Sequence, residues 1–333
     1  MLRRVVRLSS QSKDCPVNQD AHQLRSPQPL PENIRSIQPG GGWGQALELA
    51  WGRWRRAFLK TCFPGYVKRM RSLLKGDAST CPVEVIDSRD LKFFRNVADC
   101  WFEPEDDPYR WRERIPLARW GLAEVVVFGM PTVLLTILFL SGVLVSPWWA
   151  LVPGAAAAFV FYFFRDPERP IPGDAATLVS PADGKVVQIE EIDDDPFLGQ
   201  PGVKIGIFLS VFNCHVNRAS LAGQVMRLDY RRGQFANALF EHSAEVNERL
   251  QIEMVETTAP FRPIVIRQIV GAIARRIVCD LRPGQEVERG ARIGMIKFGS
   301  RTELIVPRED LVLSVKVGDR IKGGATEIGH YAP

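Results

Sequence analysis

The chain has 333 residues, of which 46% are hydrophobic and 24% charged, enough for one large domain or two modest ones with a real core. Its net charge is +5 and the excess lies before residue 120. Basic charge next to apolar segments suits an anionic membrane surface. No DNA- or RNA-binding motif accompanies it, so nucleic acid is not an expected partner. The six cysteines form no C-x-x-C pair and no two of the four histidines stand at ligand spacing, so no metal is expected and the thiols read as reduced.

Residues 1–42 are rich in Ser, Gln, Pro and Gly and read as a disordered basic arm. Residues 43–119 form a membrane-proximal region. Within it Trp51, Trp54 and Phe58 have helical spacing among Arg53, Arg55, Arg56 and Lys60, a pattern shared by interfacial helices and by ordinary packed ones. Residues 125–145 carry no charge. As a helix they extend roughly 31 Å at about 1.5 Å per residue, enough for a bilayer core. A second uncharged run, 150–164, follows Trp148 and Trp149. Residues 120–165 are therefore expected to form a membrane-embedded helical hairpin. Arg112, Arg114 and Arg119 precede it and Arg165 and Arg169 follow it, which puts both ends on the cytoplasmic side of the cell membrane.

From about residue 175 short β-branched runs alternate with Gly, Pro and Asp turns, at 185–192, 203–212, 224–229, 251–256, 263–269 and 311–317. Residues 166–333 are expected to be a mainly β (α+β) catalytic domain, an antiparallel sandwich or barrel-like fold, with a helix over 235–249. Asp183-Gly184 reads as a type I′ turn. The acidic run Asp193-Asp194-Asp195 reads as a solvated loop.

Three residues capable of nucleophilic chemistry lie in turn-rich segments beside apolar strands: Asp183, His215 and Ser300. A hydroxyl is a weak nucleophile until a base removes its proton, and a carboxylate can orient an imidazole for that task. Taken alone, Gly299-Ser300 after a strand is a turn.

Five motifs occur in order: Phe163 to Arg169 (FFRDPER), Ser180 to Lys185 (SPADGK), Phe208 to Arg218 (FLSVFNCHVNR), Ile269 to Asp280 (IVGAIARRIVCD) and Gly294 to Pro307 (GMIKFGSRTELIVP). Together they resemble the short bacterial type of phosphatidylserine decarboxylase over roughly residues 120–325. The resemblance implies a proenzyme that cuts itself between Gly299 and Ser300 and converts Ser300 into a covalent pyruvoyl cofactor. It implies decarboxylation of phosphatidylserine to phosphatidylethanolamine, with a large and a small subunit that stay associated, a homodimer being left open. The same motifs fit an archaetidylserine decarboxylase, and the residue pattern alone also fits a non-catalytic membrane-anchored β module.

Longer relatives carry two histidines three apart where this chain has His215 and Arg218, so either His215 serves both maturation and decarboxylation, the expected case, with Asp183 orienting it, or another group assists. Arg218, Arg275, Arg276 and Arg301 are candidates for the lipid phosphate or carboxylate, since guanidinium matches both in a bidentate way.

Overall fold

The computed structural model describes residues 26–142, 146–240, 242–272, 276–297 and 299–332. Two helices come first, α1 (Trp43–Cys62) and α2 (Pro64–Leu73), then a small ribbon of β1 (Lys75–Asp77) on β2 (Asp99–Trp101). The apolar helix α3 (Arg119–Leu140) is long and apolar enough to cross a membrane, and only 11% of its apolar window is buried in the protein. A wide turn at Val125–Gly129 precedes Pro131. The proline ring cannot tolerate the regular spacing of the preceding carbonyl, and widening the turn relieves that conflict.

The shorter apolar helix α4 (Pro147–Phe163) returns alongside. Gly129 lies against Val160 and Phe161, and Gly154 against Thr136, an antiparallel register. The two helices thus form a hairpin whose outward residues, such as Leu134, Ile137, Leu151 and Val152, are well exposed.

The remaining chain is β. In order it contains β3 (Thr177–Val179), β4 (Gly184–Ile192), β5 (Gly202–Leu209), β6 (Val216–Arg218), β7 (Gly223–Arg231), β8 (Arg249–Val255), β9 (Pro263–Val270) and β10 (Arg276–Val278). It continues through β11 (Glu286–Val287), β12 (Arg292–Lys297), β13 (Ser300–Pro307), β14 (Leu311–Leu313), β15 (Arg320–Ile321) and β16 (Glu327–Tyr331). The main sheet has eight antiparallel strands in the order β11-β7-β8-β9-β13-β5-β4-β15. Bulges at Val186/Gln188 and Val225/Arg227 curl it into a half-barrel. Two three-stranded sheets, β10-β12-β6 and β14-β16-β3, complete the domain.

The main core fills the inside of the curl with Ile205, Ile207, Leu209, Val225, Leu250, Ile266, Leu304 and Val306. A second cluster joins the β domain to the hairpin. In it Trp120, Val125 and Phe163 pack with Phe93, Phe94, Val216 and Met295.

Four expectations are corrected. Of the arm expected to be disordered, residues 1–25 lie outside the described residues, but from residue 26 the chain is packed. Ile34 and Ile37 are buried, and the Cys279 amide donates to the Ile37 carbonyl at 2.8 Å. The predicted helix over 235–249 shrinks to α5 (Ser243–Val246). Asn247 is responsible: its side chain bonds the Ala236 amide and carbonyl and the Val270 carbonyl, each at 2.8 Å, and ties the segment to the end of β9. Asp195 is buried rather than solvated. It accepts from the Phe197 amide at 3.0 Å and pairs with Arg267 at 3.3 Å.

Asp183-Gly184 is not a type I′ turn, since neither residue has positive φ. Gly184 starts β4, where a Cβ would sit 2.3 Å from the Phe208 carbonyl oxygen and 2.9 Å from Ile207 Cγ2. Glycine is required there by the close approach of β5. Gly184→Ala is expected to cost about 2–3 kcal/mol, read as a lower denaturation midpoint. An unchanged midpoint would refute the close approach.

Candidate active site

The site forms where the chain passes from one sheet to another. β12 belongs to the three-stranded sheet and β13 to the eight-stranded one. The path between them turns at Gly299, whose φ of 63° lies in the left-handed region that glycine adopts without strain. Gly271 backs this turn so closely that a Cβ there would lie 2.5 Å from the Gly299 carbonyl oxygen.

Ser300 opens β13 between Leu209 of β5 and Val270 of β9. The residue is fully buried and its Oγ has no hydrogen-bond partner among the described residues. Burying a hydroxyl without a partner is costly. A native structure that tolerates this has a reactive or strained group to explain.

His215 reaches the same turn from the segment between β5 and β6. Asn213 Oδ1 accepts from the Ser210 amide and hydroxyl at 2.9 and 2.8 Å and shapes the preceding bend. Both ring nitrogens of His215 are engaged. Nδ1 lies 2.9 Å from the Asn213 carbonyl, and Nε2 lies 3.1 Å from the Gly299 amide nitrogen. A carbonyl only accepts and an amide N–H only donates. The proton is therefore on Nδ1, and the Nε2 lone pair faces the Gly299-Ser300 segment. The ring packs on Phe163 with centroids 4.6 Å apart. Burial lowers its pKa from 6.5 to about 4, against the smaller upward pull of the Asn213 carbonyl and the Asp183 charge. The imidazole is neutral at ordinary pH and able to accept a proton.

Asp183 takes a different place from the one expected. Its carboxylate is gripped by both terminal nitrogens of Arg169, with the Nη2–Oδ2 contact at 2.9 Å, and accepts from the Gly323 amide at 2.8 Å. Arg169 Nη1 also donates to the Gly323 carbonyl at 2.9 Å. His215 is oriented by its Nδ1–H, which donates to the Asn213 carbonyl. Asp183 acts on the imidazole only through its charge.

The arginines are dispersed. Arg218 is buried and pairs with Asp166 at 2.9 Å while donating to the Gly290 carbonyl at 3.0 Å. Arg301 follows Ser300 but points to the opposite face of β13, as strand alternation requires. There it bonds Glu303 at 3.0 Å and Gln188. Arg276 pairs in register with Lys297 and lies against Gly42 and Gly44. Arg275 lies outside the described residues.

Several residues near the turn were not anticipated. Below Ser300, on the same face of β13, Thr302 Oγ1 accepts from Asn217 at 3.0 Å, and Gln268 donates to Asn217 at 2.9 Å. This buried chain fixes β6, β9 and β13 relative to one another. Lys297, three residues before Ser300, is buried and bonds Glu124 at the foot of α3. Burial lowers its pKa and Glu124 opposes the shift. Asn217 and Asn213 both lie within the sequence motif around His215, and Arg169 within the one after α4, so the signal was present but carried no assigned role.

Comparison with known proteins agrees with this architecture. The phosphatidylserine decarboxylase family profile matches residues 156–329. A phosphatidylserine decarboxylase proenzyme of Rhodopirellula baltica is 45% identical over 244 residues, covering 72% of this chain and 99% of the relative. Proenzymes of the same name from Carboxydothermus hydrogenoformans and Syntrophus aciditrophicus are 41% and 42% identical, covering 66% and 65% of this chain and 98% and 97% of theirs. The chain belongs to the phosphatidylserine decarboxylase family and is a carboxy-lyase.

Proposed function

We propose that this chain cuts itself between Gly299 and Ser300, carries a pyruvoyl group on residue 300, and decarboxylates phosphatidylserine to phosphatidylethanolamine at a membrane. One observation carries the reading: a fully buried Ser300 hydroxyl, without a partner among the described residues, follows a left-handed glycine whose amide rests on a neutral histidine.

In the first step Ser300 Oγ attacks the Gly299 carbonyl carbon. The peptide C–N bond breaks, an ester forms and the freed nitrogen gains a proton. We assign the hydroxyl proton to His215 Nε2, which must first release the Gly299 amide it accepts from at 3.1 Å. Loss of the Ser300 Cα proton then breaks the Cβ–O bond and releases a chain ending in the Gly299 carboxylate. The unsaturated residue left at position 300 tautomerises and is hydrolysed by water, losing ammonia and leaving a ketone. The pyruvoyl ketone supplies the electron sink into which the lipid serine can lose CO2. The chain's own residues bury that position and hold a neutral imidazole beside it.

The topology supports fragments that remain together. The C-terminal piece would begin with β13, the strand bonded on both sides by β9 and β5. Its β15 and β16 pair with β4 and β3 of the larger piece. Asp183 and Arg169 of the larger piece clamp Gly323 of the smaller. The exposed α3–α4 hairpin supports a membrane setting. The arginines at both of its ends favour a catalytic domain on the cytoplasmic side.

Purified protein is expected to elute as one species under native conditions. In denaturant it should release a fragment of the 34 residues from Ser300 to Pro333. That fragment should lack a free amino terminus and react with a hydrazide. Active protein with no hydrazide-reactive fragment would refute the pyruvoyl reading.

A further inference from the structure

Helix α1 is turned inside out for a helix packed on a protein. Leu47, Trp51, Trp54 and Phe58 are 57%, 62%, 56% and 43% exposed and share one face, while Gln45 and Arg55 are buried on the other. The rings stack into a continuous strip, with Trp51–Trp54 centroids 4.9 Å apart and Trp54–Phe58 centroids 5.4 Å apart. Arg55 and Arg56 turn inward to Asp90, and Gln45 bonds Ser36 at 3.0 Å. Ordinary amphipathic helices bury the apolar stripe, and exposed apolar strips of this kind mark contact surfaces.

Charge identifies the contact. From residue 43 to residue 73 there are seven Lys and Arg and one carboxylate, Glu48, so α1 and α2 carry more positive charge than the whole chain's net +5. Behind Trp51 lies a cavity of about 170 Å³ lined by five cations and two carboxylates. That volume is about ten times the roughly 10–15 Å³ that one water needs on the same measure.

Most of the lining cations are neutralised, Arg55 and Arg56 by Asp90, Arg89 by Asp87 and Lys92 by Glu48. Arg112 is the exception. Its Nε donates to the Tyr109 carbonyl at 3.2 Å and its guanidinium lies 4.9 Å from the Tyr109 ring centroid. Among the described residues it makes no ion pair. The surface also continues into the apolar hairpin. Leu49 of α1 packs in the same cluster as Trp120, Val125 and Phe163 at the foot of α3 and α4.

We propose that α1 lies in the membrane interface, with Leu47, Trp51, Trp54 and Phe58 among lipid chains, and that the cavity behind Trp51 receives the phosphate of an anionic phospholipid through Arg112. The inference does not depend on self-cleavage. It concerns a segment that precedes the family match at residues 156–329.

The test uses the full chain in nanodiscs of phosphatidylcholine with a rising share of phosphatidylglycerol, the acyl chains brominated to quench indole emission. The contribution of the two helix rings is the difference between wild type and the Trp51→Phe, Trp54→Phe double variant. Quenching of these rings is expected to rise with the phosphatidylglycerol share. Arg112→Ala should need about fivefold more anionic lipid for half-maximal quenching, the factor for one interfacial cation. Retained fold in each variant is checked by an unchanged thermal unfolding midpoint. Unquenched rings, quenching independent of phosphatidylglycerol, or an Arg112→Ala midpoint equal to wild type would each overturn the proposal.

Discussion

Ser300→Ala is expected to yield a single uncut chain of 333 residues with no decarboxylase activity above background. Without the hydroxyl nothing attacks the Gly299 carbonyl, and without the ketone there is no electron sink. The loss is therefore the whole enzymatic acceleration, at least about six orders of magnitude. The substitution should leave the fold intact, because the hydroxyl it removes is buried and makes no hydrogen bond among the described residues. Deleting such a group forfeits no partner and relieves a desolvation cost of about 1–3 kcal/mol, so the uncut variant should unfold no earlier than an unprocessed wild-type chain.

Ser300→Cys separates nucleophile from position. The thiol can attack the same carbonyl, and elimination breaks the Cβ–S bond to leave the same keto group. Burial disfavours the reactive thiolate, so cleavage should be slower than in wild type. Intact-mass measurement distinguishes the cases. A cut alanine variant, or an uncut one that still decarboxylates, would remove Ser300 from the mechanism.

How much of this site could be read beforehand depends on which interactions leave a trace in sequence. The strand positions were legible because alternation of apolar residues survives burial on one face, and α3 was legible because a long charge-free run has few other uses. Alternation also held information that was not used. Ser300 and Arg301 are adjacent on a strand and must face opposite ways, so alternation alone separates Arg301 from the site. The orientation of His215 was not legible. It depends on the Asn213 backbone carbonyl, and every residue has a carbonyl. Asp183 was found as a chemical residue but misjudged in its contacts, because the arginine that engages it comes from a different motif and the amide that completes it belongs to Gly323. The segment 235–249 failed for a related reason. Its helical pattern is overridden by one side chain, Asn247, which bonds Ala236 across the segment and Val270 at the end of β9. Residues 26–42 have a composition that suggests disorder, yet Ile34 and Ile37 find buried sites on a domain formed by the rest of the chain.

His215 gives the sharper test of mechanism, because its ionisation is displaced in a known direction. Burial holds its pKa near 4 in the folded chain, against 6.5 for the free side chain. The neutral, accepting form therefore persists well below pH 6.5. Self-cleavage limited by this base should keep a constant rate from pH 8 to about pH 5 and decline only as pH approaches 4. A histidine with an ordinary pKa would instead halve the rate near pH 6.5. The same displacement couples to folding. Between pH 6.5 and 4 the unfolded chain binds a proton that the folded chain refuses, so stability present above 6.5 is lost as pH falls through that window, on the order of 3 kcal/mol when the lower limit is reached. His215→Ala removes the acceptor at Gly299 and is expected to slow cleavage by roughly 10²–10⁴-fold. Its stability should also lose the dependence between pH 6.5 and 4, which a purely structural ring would share but a change in cleavage rate would not reveal. Time courses of freshly synthesised chain across that pH range, followed by the appearance of the C-terminal fragment, check both points. A cleavage midpoint near 6.5, or an alanine variant that matures at the wild-type rate, would show that another group takes the Ser300 proton.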